Sequence, residues 1–285
     1  MGSLNTFMGF RALLLSVAYR MLGSATEAED VVQEAWLRWR DVDESNIRDP
    51  KAWLSVAVVR LCLDSLKSAR SRHETYVGTR LPEPVATPQP RDRESISLAF
   101  LVLLEALSPL ERAIYLLHQV FEYSHTEVAE ALGMSAAAVR QSFHRAKAHV
   151  ADNRPRFAPS EEDHVRLLLG FGAALADGNV AAFKNVLAED AVLWADGGGK
   201  VRGAALRPVH GGDNVARFFA GLVAKTSIQR GELTMDVQRV NGWPALVARV
   251  RGVVIAVITI ETDGERVVAV RNVVNPEKLA LAEVN

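Results

Sequence analysis

A chain of 285 residues is long enough for two or three domains that each bury a core. Its 33 basic and 34 acidic residues leave a net charge of −1, which excludes tight nucleic-acid binding by bulk charge; basic character must be local, or a partner must supply most of the affinity. The single cysteine, Cys62, lies in an apolar run as a packed thiol and excludes disulfides and multi-cysteine zinc sites.

No secretory leader pattern or apolar run of membrane-spanning length stands out, so the expectation is a soluble cytoplasmic protein with no membrane partner. Residues 7–40 read as two helices broken near Gly23-Ser24. The second starts around Thr26, where Thr26 and Glu29 have capping-box spacing. Val31, Val32, Ala35, Trp36 and Trp39 share its apolar arc, and Asp30, Gln33, Glu34 and Arg40 the opposite one. Leu37 falls within that polar arc, a weak sign of a protein partner.

Asp49-Pro50 starts the next helix, a capping Asp followed by Pro at the first helical position. It runs to about Ala69 and is apolar around most of its circumference. The exception is a stripe of Trp53, Arg60, Asp64 and Lys67, continued by Arg70 and Arg72. An aromatic among cations suits single-stranded DNA, and equally a snorkelling basic face. Pro82, Pro84, Pro88 and Pro90 then forbid a continuous helix, so residues 71–95 read as a linker.

Residues 124–150 contain two short helical patterns separated by Gly133-Met134-Ser135. Val128, Ala129 and Leu132 give the first an apolar face, and Val139 and Phe143 the second. Gly133 suits a left-handed C-cap and Ser135 an N-cap. Glu111, Glu122, Glu127 and Glu130 precede the turn, whereas Arg140, Arg145 and Lys147 follow it. A helix-turn-helix needs such a cationic second helix, because that helix enters the major groove between phosphates. Arg140 and Gln141 are placed for base edges, and Arg145 and Lys147 for phosphates, with His144 on the same helix. A helical hairpin with a solvated basic face is the plainer alternative.

Beyond a second tether at 153–161 the pattern changes. Helices near 161–176 and 179–187, a strand and a helix near 213–224 precede strands near 245–249, 253–259 and 266–274, with hairpin signals at Asn241-Gly242 and Asp263-Gly264. Helices followed by a curled antiparallel sheet imply a cone-shaped α+β domain.

The order AEDVVQEAWLRWR, RDPKAWLSVAVVRLCLD and then the helix-turn-helix resembles the bacterial extracytoplasmic-function sigma factors. YVGTRLPEP in the linker, DGGGK at 196–200 and NPEKL at 275–279 resemble motifs of the subgroup with a SnoaL-like C-terminal extension; where that linker motif carries Trp, this chain has Arg80. The resemblance implies two all-α sigma domains plus a SnoaL-like α+β cone, divided as region 2 (1–70), linker (71–95), region 4 (96–152), linker (153–161) and cone (162–285). It implies core RNA polymerase and promoter DNA as partners. Asp30, Gln33, Glu34 and Leu37 would dock on the polymerase. The loop 41–48 with Trp53, Arg60, Lys67 and Arg70 would engage the minus-ten element, and Arg140, Gln141, His144, Arg145 and Lys147 the minus-thirty-five element.

SnoaL-like cones include enzymes that use a carboxylate or histidine in an apolar pocket, and Trp194, Asp196, His210 and Asp213 are the right residue types. Three consecutive glycines argue against a preorganised catalytic shell. The expectation is a protein that is not an enzyme and takes no cofactor or metal, with an unidentified small ligand in the cone as a further option. The resemblance implies regulation in cis instead, through Tyr76, Leu81 and Pro82 of the linker, Asp196, Gly197, Gly198, Gly199 and Lys200 of the first motif, and Asn275, Pro276, Glu277, Lys278 and Leu279 of the second. No separate anti-sigma protein would then be required.

Overall fold

A computed structural model describes residues 2–74, 76–87, 97–153, 160–225 and 233–282, the side chains of residues 69–74, 153 and 225 excepted. Residues 1–75 and 100–154 form one compact unit, and residues 76–99 and 155–285 form another.

In the first unit α1 (Gly2–Leu22) and α2 (Ala25–Arg40) are separated by Gly23 at φ +69°. Ser24 caps α2, its hydroxyl accepting the Glu27 N–H at 3.1 Å. The cap thus precedes the Thr26–Glu29 pair: Ser24 has the extended backbone that lets a hydroxyl reach the third helical amide, and Thr26 is already helical. Val31, Val32, Ala35 and Trp39 are buried as their arc requires, and the half-buried Trp36 packs on Phe7 with ring centroids 5.1 Å apart. Trp39 is fully buried and its indole N–H donates to the Ser3 carbonyl at 2.9 Å. Asp49 caps α3 (Pro50–Glu74) by accepting the Ala52 N–H at 3.0 Å. This helix passes Ala69, since no glycine or proline intervenes before Gly78.

The same unit continues with α4 (Leu98–Glu105), α5 (Pro109–Phe121), α6 (His125–Leu132) and α7 (Ala136–Asn153). Ser108 and Ser124 form capping boxes with Glu111 and Glu127, signals that the sequence carries at three-residue spacing. Gly133 is left-handed at φ +67°, and Ser135 Oγ accepts the Ala138 N–H at 3.2 Å. The two helical segments, expected as separate domains, share one apolar core that runs from Leu14, Met21 and Val58 to Ile114, Leu117 and Val139. Helix α5 makes this possible because it is buried nearly all round; even Arg112 is enclosed, donating to the Met21 carbonyl left open at the end of α1.

In the second unit α8 (Glu161–Asp177), α9 (Val180–Val186) and α10 (Gly212–Lys225) lie on a six-stranded sheet in the order β2-β1-β6-β5-β4-β3. Its strands are β1 (Leu187–Asp196), β2 (Val209–His210), β3 (Leu233–Val240), β4 (Trp243–Val250), β5 (Val253–Thr262) and β6 (Val267–Val273). The sheet is mixed, not wholly antiparallel: β1 pairs with β6 in parallel, because the helix and hairpins between them return the chain to the same end of the sheet. Asn241-Gly242 turns with φ +54° and +76°, as a two-residue hairpin requires. Arg251-Gly252 does the same at +52° and +84°, a turn hidden in the sequence because Arg seldom adopts the left-handed region. On the helical side Phe171, Phe183 and Phe219 fill the interior of the sheet's curl, with centroids 5.2, 5.2 and 5.8 Å apart.

Candidate functional site

Arg140, Gln141, His144, Arg145 and Lys147 are all exposed on α7, while Val139, Phe143 and Ala146 anchor its opposite side in the core. The helix-turn-helix therefore presents one polar, cationic face. Arg145 is partly engaged, its Nε 3.0 Å from Glu111 Oε1 and its guanidinium 3.1 Å from Ser142 Oγ. On α2, Asp30, Gln33 and Glu34 are exposed and Leu37 is 40% exposed among them. Glu34 pairs with Arg38 at 3.1 Å across one helical turn.

The stripe on α3 is less open. Trp53 is half-buried, its ring 5.2 Å from that of Trp39, so most of it is core. Arg60 donates through Nε at 3.2 Å and Nη2 at 2.8 Å to the Ala131 carbonyl near the end of α6, where that acceptor has no helical partner. Lys67 pairs with Asp64 at 3.2 Å in full solvent, and the Arg70 side chain lies outside the described residues. A groove of about 590 Å³ runs along this stripe, bounded by Arg38, Arg48, Trp53 and Arg60 on one wall and by Tyr123, Glu127 and Glu130 on the other.

The second unit holds a built polar cluster. Asp196, at the end of β1, is completely buried. Its carboxylate accepts the Tyr76 hydroxyl, the Leu81 N–H at 2.8 Å and the Gly198 N–H at 3.1 Å, and forms an ion pair with Lys278 Nζ at 2.8 Å. Lys278 also donates to the Leu81 carbonyl and lies 5.1 Å from the Tyr76 ring centre. Asn275 Nδ2 donates to the Tyr76 oxygen at 3.1 Å, while the Val274 and Asn275 amides both reach the Asp196 carbonyl at 2.9 Å. Burial, and then the carboxylate beside it, raise the Tyr76 hydroxyl above the ordinary phenol value, so it is a donor at neutral pH.

Glycine is required in the loop that closes this cluster. A β-carbon on Gly198 (φ +56°) would come within 2.5 Å of Asn275 Nδ2, and one on Gly199 (φ +72°) within 2.9 Å of Val77 Cβ. Gly197 is buried, Lys200 pairs with Glu277, both exposed, and Pro276 is exposed at the start of a short 3-10 turn that buries Leu279. Leu81 and Pro82 are buried in the same unit. The two motifs and the linker thus meet in one place. Sequence reasoning missed a second set of linker bonds: Val85 and Asn241 exchange hydrogen bonds at 3.1 and 2.8 Å, and Thr87 donates to Arg239 O and accepts the Gly242 N–H, both at 2.9 Å. The signal was Asn241, which reads from sequence only as a turn residue.

The four residues weighed for acid–base chemistry do not converge. Asp196 is consumed by the cluster, and Trp194 lies 5.3 Å from the buried Arg271 guanidinium. His210 is exposed on β2, and exposed Asp213 pairs with Lys184 at 2.9 Å, which holds its carboxyl below the usual range.

Models of sigma-70 region 2 and sigma-70 region 4 match residues 6–72 and 97–150. The chain is 37% identical to the ECF RNA polymerase sigma factor SigJ of Mycobacterium tuberculosis, over 96% of this chain and 92% of that protein. It is 28% identical to a probable ECF RNA polymerase sigma factor, SigI, from the same species, over 94% and 92% of the two. The crystal structure of Mycobacterium tuberculosis SigJ superposes with a TM-score of 0.75 at 35% identity, covering 95% of this chain and 97% of that one, its α+β domain included. The exposed cationic face of α7, the order of the helices and this similarity along nearly the whole length place the chain in the family of extracytoplasmic-function RNA polymerase sigma factors, which direct promoter-specific initiation of transcription.

Proposed function

We propose that the α+β domain of this sigma factor sets its activity in cis by clamping the linker between regions 2 and 4. The carrying observation is Asp196: a fully buried carboxylate that takes two donors from the linker, Tyr76 and Leu81, beside a lysine that holds the Leu81 carbonyl. Holding residues 76–87 shortens the span that the linker can offer between promoter elements. Release of the clamp lengthens that span. A separate anti-sigma protein is then not required, and the domain needs no catalytic chemistry and no cofactor.

In this reading the factor acts in the cytoplasm. Asp30, Gln33, Glu34 and Leu37 dock on core polymerase; Trp53, Arg60, Lys67 and Arg70 meet the melted minus-ten strand; and Arg140, Gln141, His144, Arg145 and Lys147 read the minus-thirty-five element. Arg60 holds the Ala131 carbonyl through Nε and Nη2, which leaves its Nη1 donors for a phosphate. In vitro transcription with core polymerase tests the clamp. Full-length Asp196→Ala/Lys278→Ala removes both charges together, leaving neither buried and unpaired. A change in promoter-dependent transcript yield is expected; equal yield from the folded variant and wild type refutes control by the clamp.

A further inference from the structure

Under the recognition helix lies a pair of histidines that DNA reading does not use. His118, on α5, and His125, the first residue of α6, have ring centroids 4.9 Å apart. Both pack on Phe143 of α7: His118 stacks at 4.1 Å, and His125 lies tilted at 5.4 Å. The Nδ1 atom of each ring is buried with no hydrogen-bond partner. A neutral imidazole tolerates this when its proton sits on Nε2, because Nδ1 is then only a bare lone pair. A protonated ring tolerates it far less, since Nδ1–H becomes a charged donor in a buried site.

Among the described residues no carboxylate is bonded to either Nδ1 atom. After burial itself, His125 from α6 and Lys147 from α7 disfavour a cation at His118, and together these outweigh the opposite pull of its own backbone carbonyl. Glu111, two turns along the same face of α5, is committed to Arg145 and Ser108. Glu127 of α6 is committed to its cap on Ser124, and Arg112 to the Met21 carbonyl. Lys51 of α3 lies 6.0 Å from the Phe121 ring centre. A metal ion is a poor alternative occupant, because among the described residues no group of three or more potential ligands exists.

We propose that His118, packed on His125 and Phe143, makes the seat of the recognition helix acid-sensitive: protonation of His118 drives its ring toward water and frees Phe143, and with it α7, from α5 and α6. The folded state binds fewer protons at this site than the released state, so packing holds at neutral pH and weakens as pH falls below the ordinary histidine value of about 6.5. The release itself stands on packing alone; its consequence, loss of minus-thirty-five reading under acid, rests on the assignment of α7 made above.

Amide hydrogen exchange of the full-length protein at pH 7.5 and 5.5 tests the release without DNA or polymerase, using α8 amides as internal reference and correcting for intrinsic exchange. One proton taken up on release reads as about tenfold loss of protection per pH unit over the titrating range. Wild-type α7 should lose up to about tenfold across the interval, and His118→Phe/His125→Phe, which keeps both rings but cannot titrate, should lose none. Equal loss in both proteins, or none in wild type, overturns the proposal. If the variant does not fold, NMR titration of the wild-type imidazoles decides it. Rings that protonate while α7 amides keep their protection overturn it, and rings that protonate together with α7 opening support it.

Discussion

Tyr76→Phe removes one oxygen from the linker clamp and leaves the rest of the side chain in place. That oxygen donates to Asp196 and accepts from Asn275 Nδ2 at 3.1 Å. The carboxylate keeps the Leu81 N–H at 2.8 Å, the Gly198 N–H at 3.1 Å and Lys278 at 2.8 Å, so no buried charge is orphaned. The loss is that of one hydrogen bond to a charged group, about 1.5–3 kcal/mol, and the lower part of the range applies because Tyr76 is only half-buried. At about 1.4 kcal/mol per decade, a cost of about 1.5–2 kcal/mol shifts the clamp toward release by roughly 10- to 30-fold. The Leu81 amide reports on this directly, since its only route to exchange is loss of Asp196. Hydrogen exchange of the 76–87 segment in the full-length variant should accelerate by that factor, while α8 is unchanged. Exchange within twofold of wild type would show that the Tyr76 hydroxyl does not hold the linker.

Arg140→Ala and Gln141→Ala should each reduce discrimination at the minus-thirty-five element by about 1–3 kcal/mol, whereas Lys147→Ala should weaken holoenzyme binding to all sequences and lower the salt slope by about 1; promoter titrations at several salt concentrations separate the two. Asp30→Ala/Glu34→Ala should reduce retention of core polymerase in a pull-down with an unchanged melting temperature, because the exposed Glu34–Arg38 pair contributes at most about 1 kcal/mol to stability. Gly198→Ala should loosen the clamp as well, since the left-handed backbone costs roughly 1–2 kcal/mol for an L residue and the new methyl displaces Asn275; exchange at the Leu81 amide measures it. Burial lowers the pKa of His164 and outweighs the opposite pull of the Pro244 carbonyl 2.9 Å away and of Glu161, so the α+β unit binds fewer protons folded than unfolded. Its stability should therefore fall as pH drops below about 6.5, and the urea midpoint of His164→Gln should be less acid-sensitive than that of wild type.

Local chemistry made most of the helices and several turns legible in the sequence. The Asp49-Pro50 start, the Gly133 and Ser135 caps, the hairpin at Asn241-Gly242 and the polar faces of α2 and α7 each depend on residues a few positions apart, and the structure has all of them. Spacing misjudged the start of α2, because two hydroxyl residues compete there and backbone conformation chooses Ser24. Arg60 illustrates the opposite limit: as sequence it is a cation on a stripe, yet it binds the carbonyl of Ala131, 71 residues away.

What the sequence by itself determined is the set of motifs and the faces that carry them, since amphipathic period, caps and turns are written in near neighbours. Tertiary structure decided which of these meet. Asp196, Tyr76 and Lys278 are separated by 120 and 82 residues, and no periodicity says that one carboxylate will take both the linker hydroxyl and the lysine. Nor does any local rule set β1 parallel to β6, share one core between two helical segments or bring His118 and His125 onto Phe143. Those arrangements follow from burying apolar surface over the whole chain, a sum to which every element contributes and which no short stretch contains.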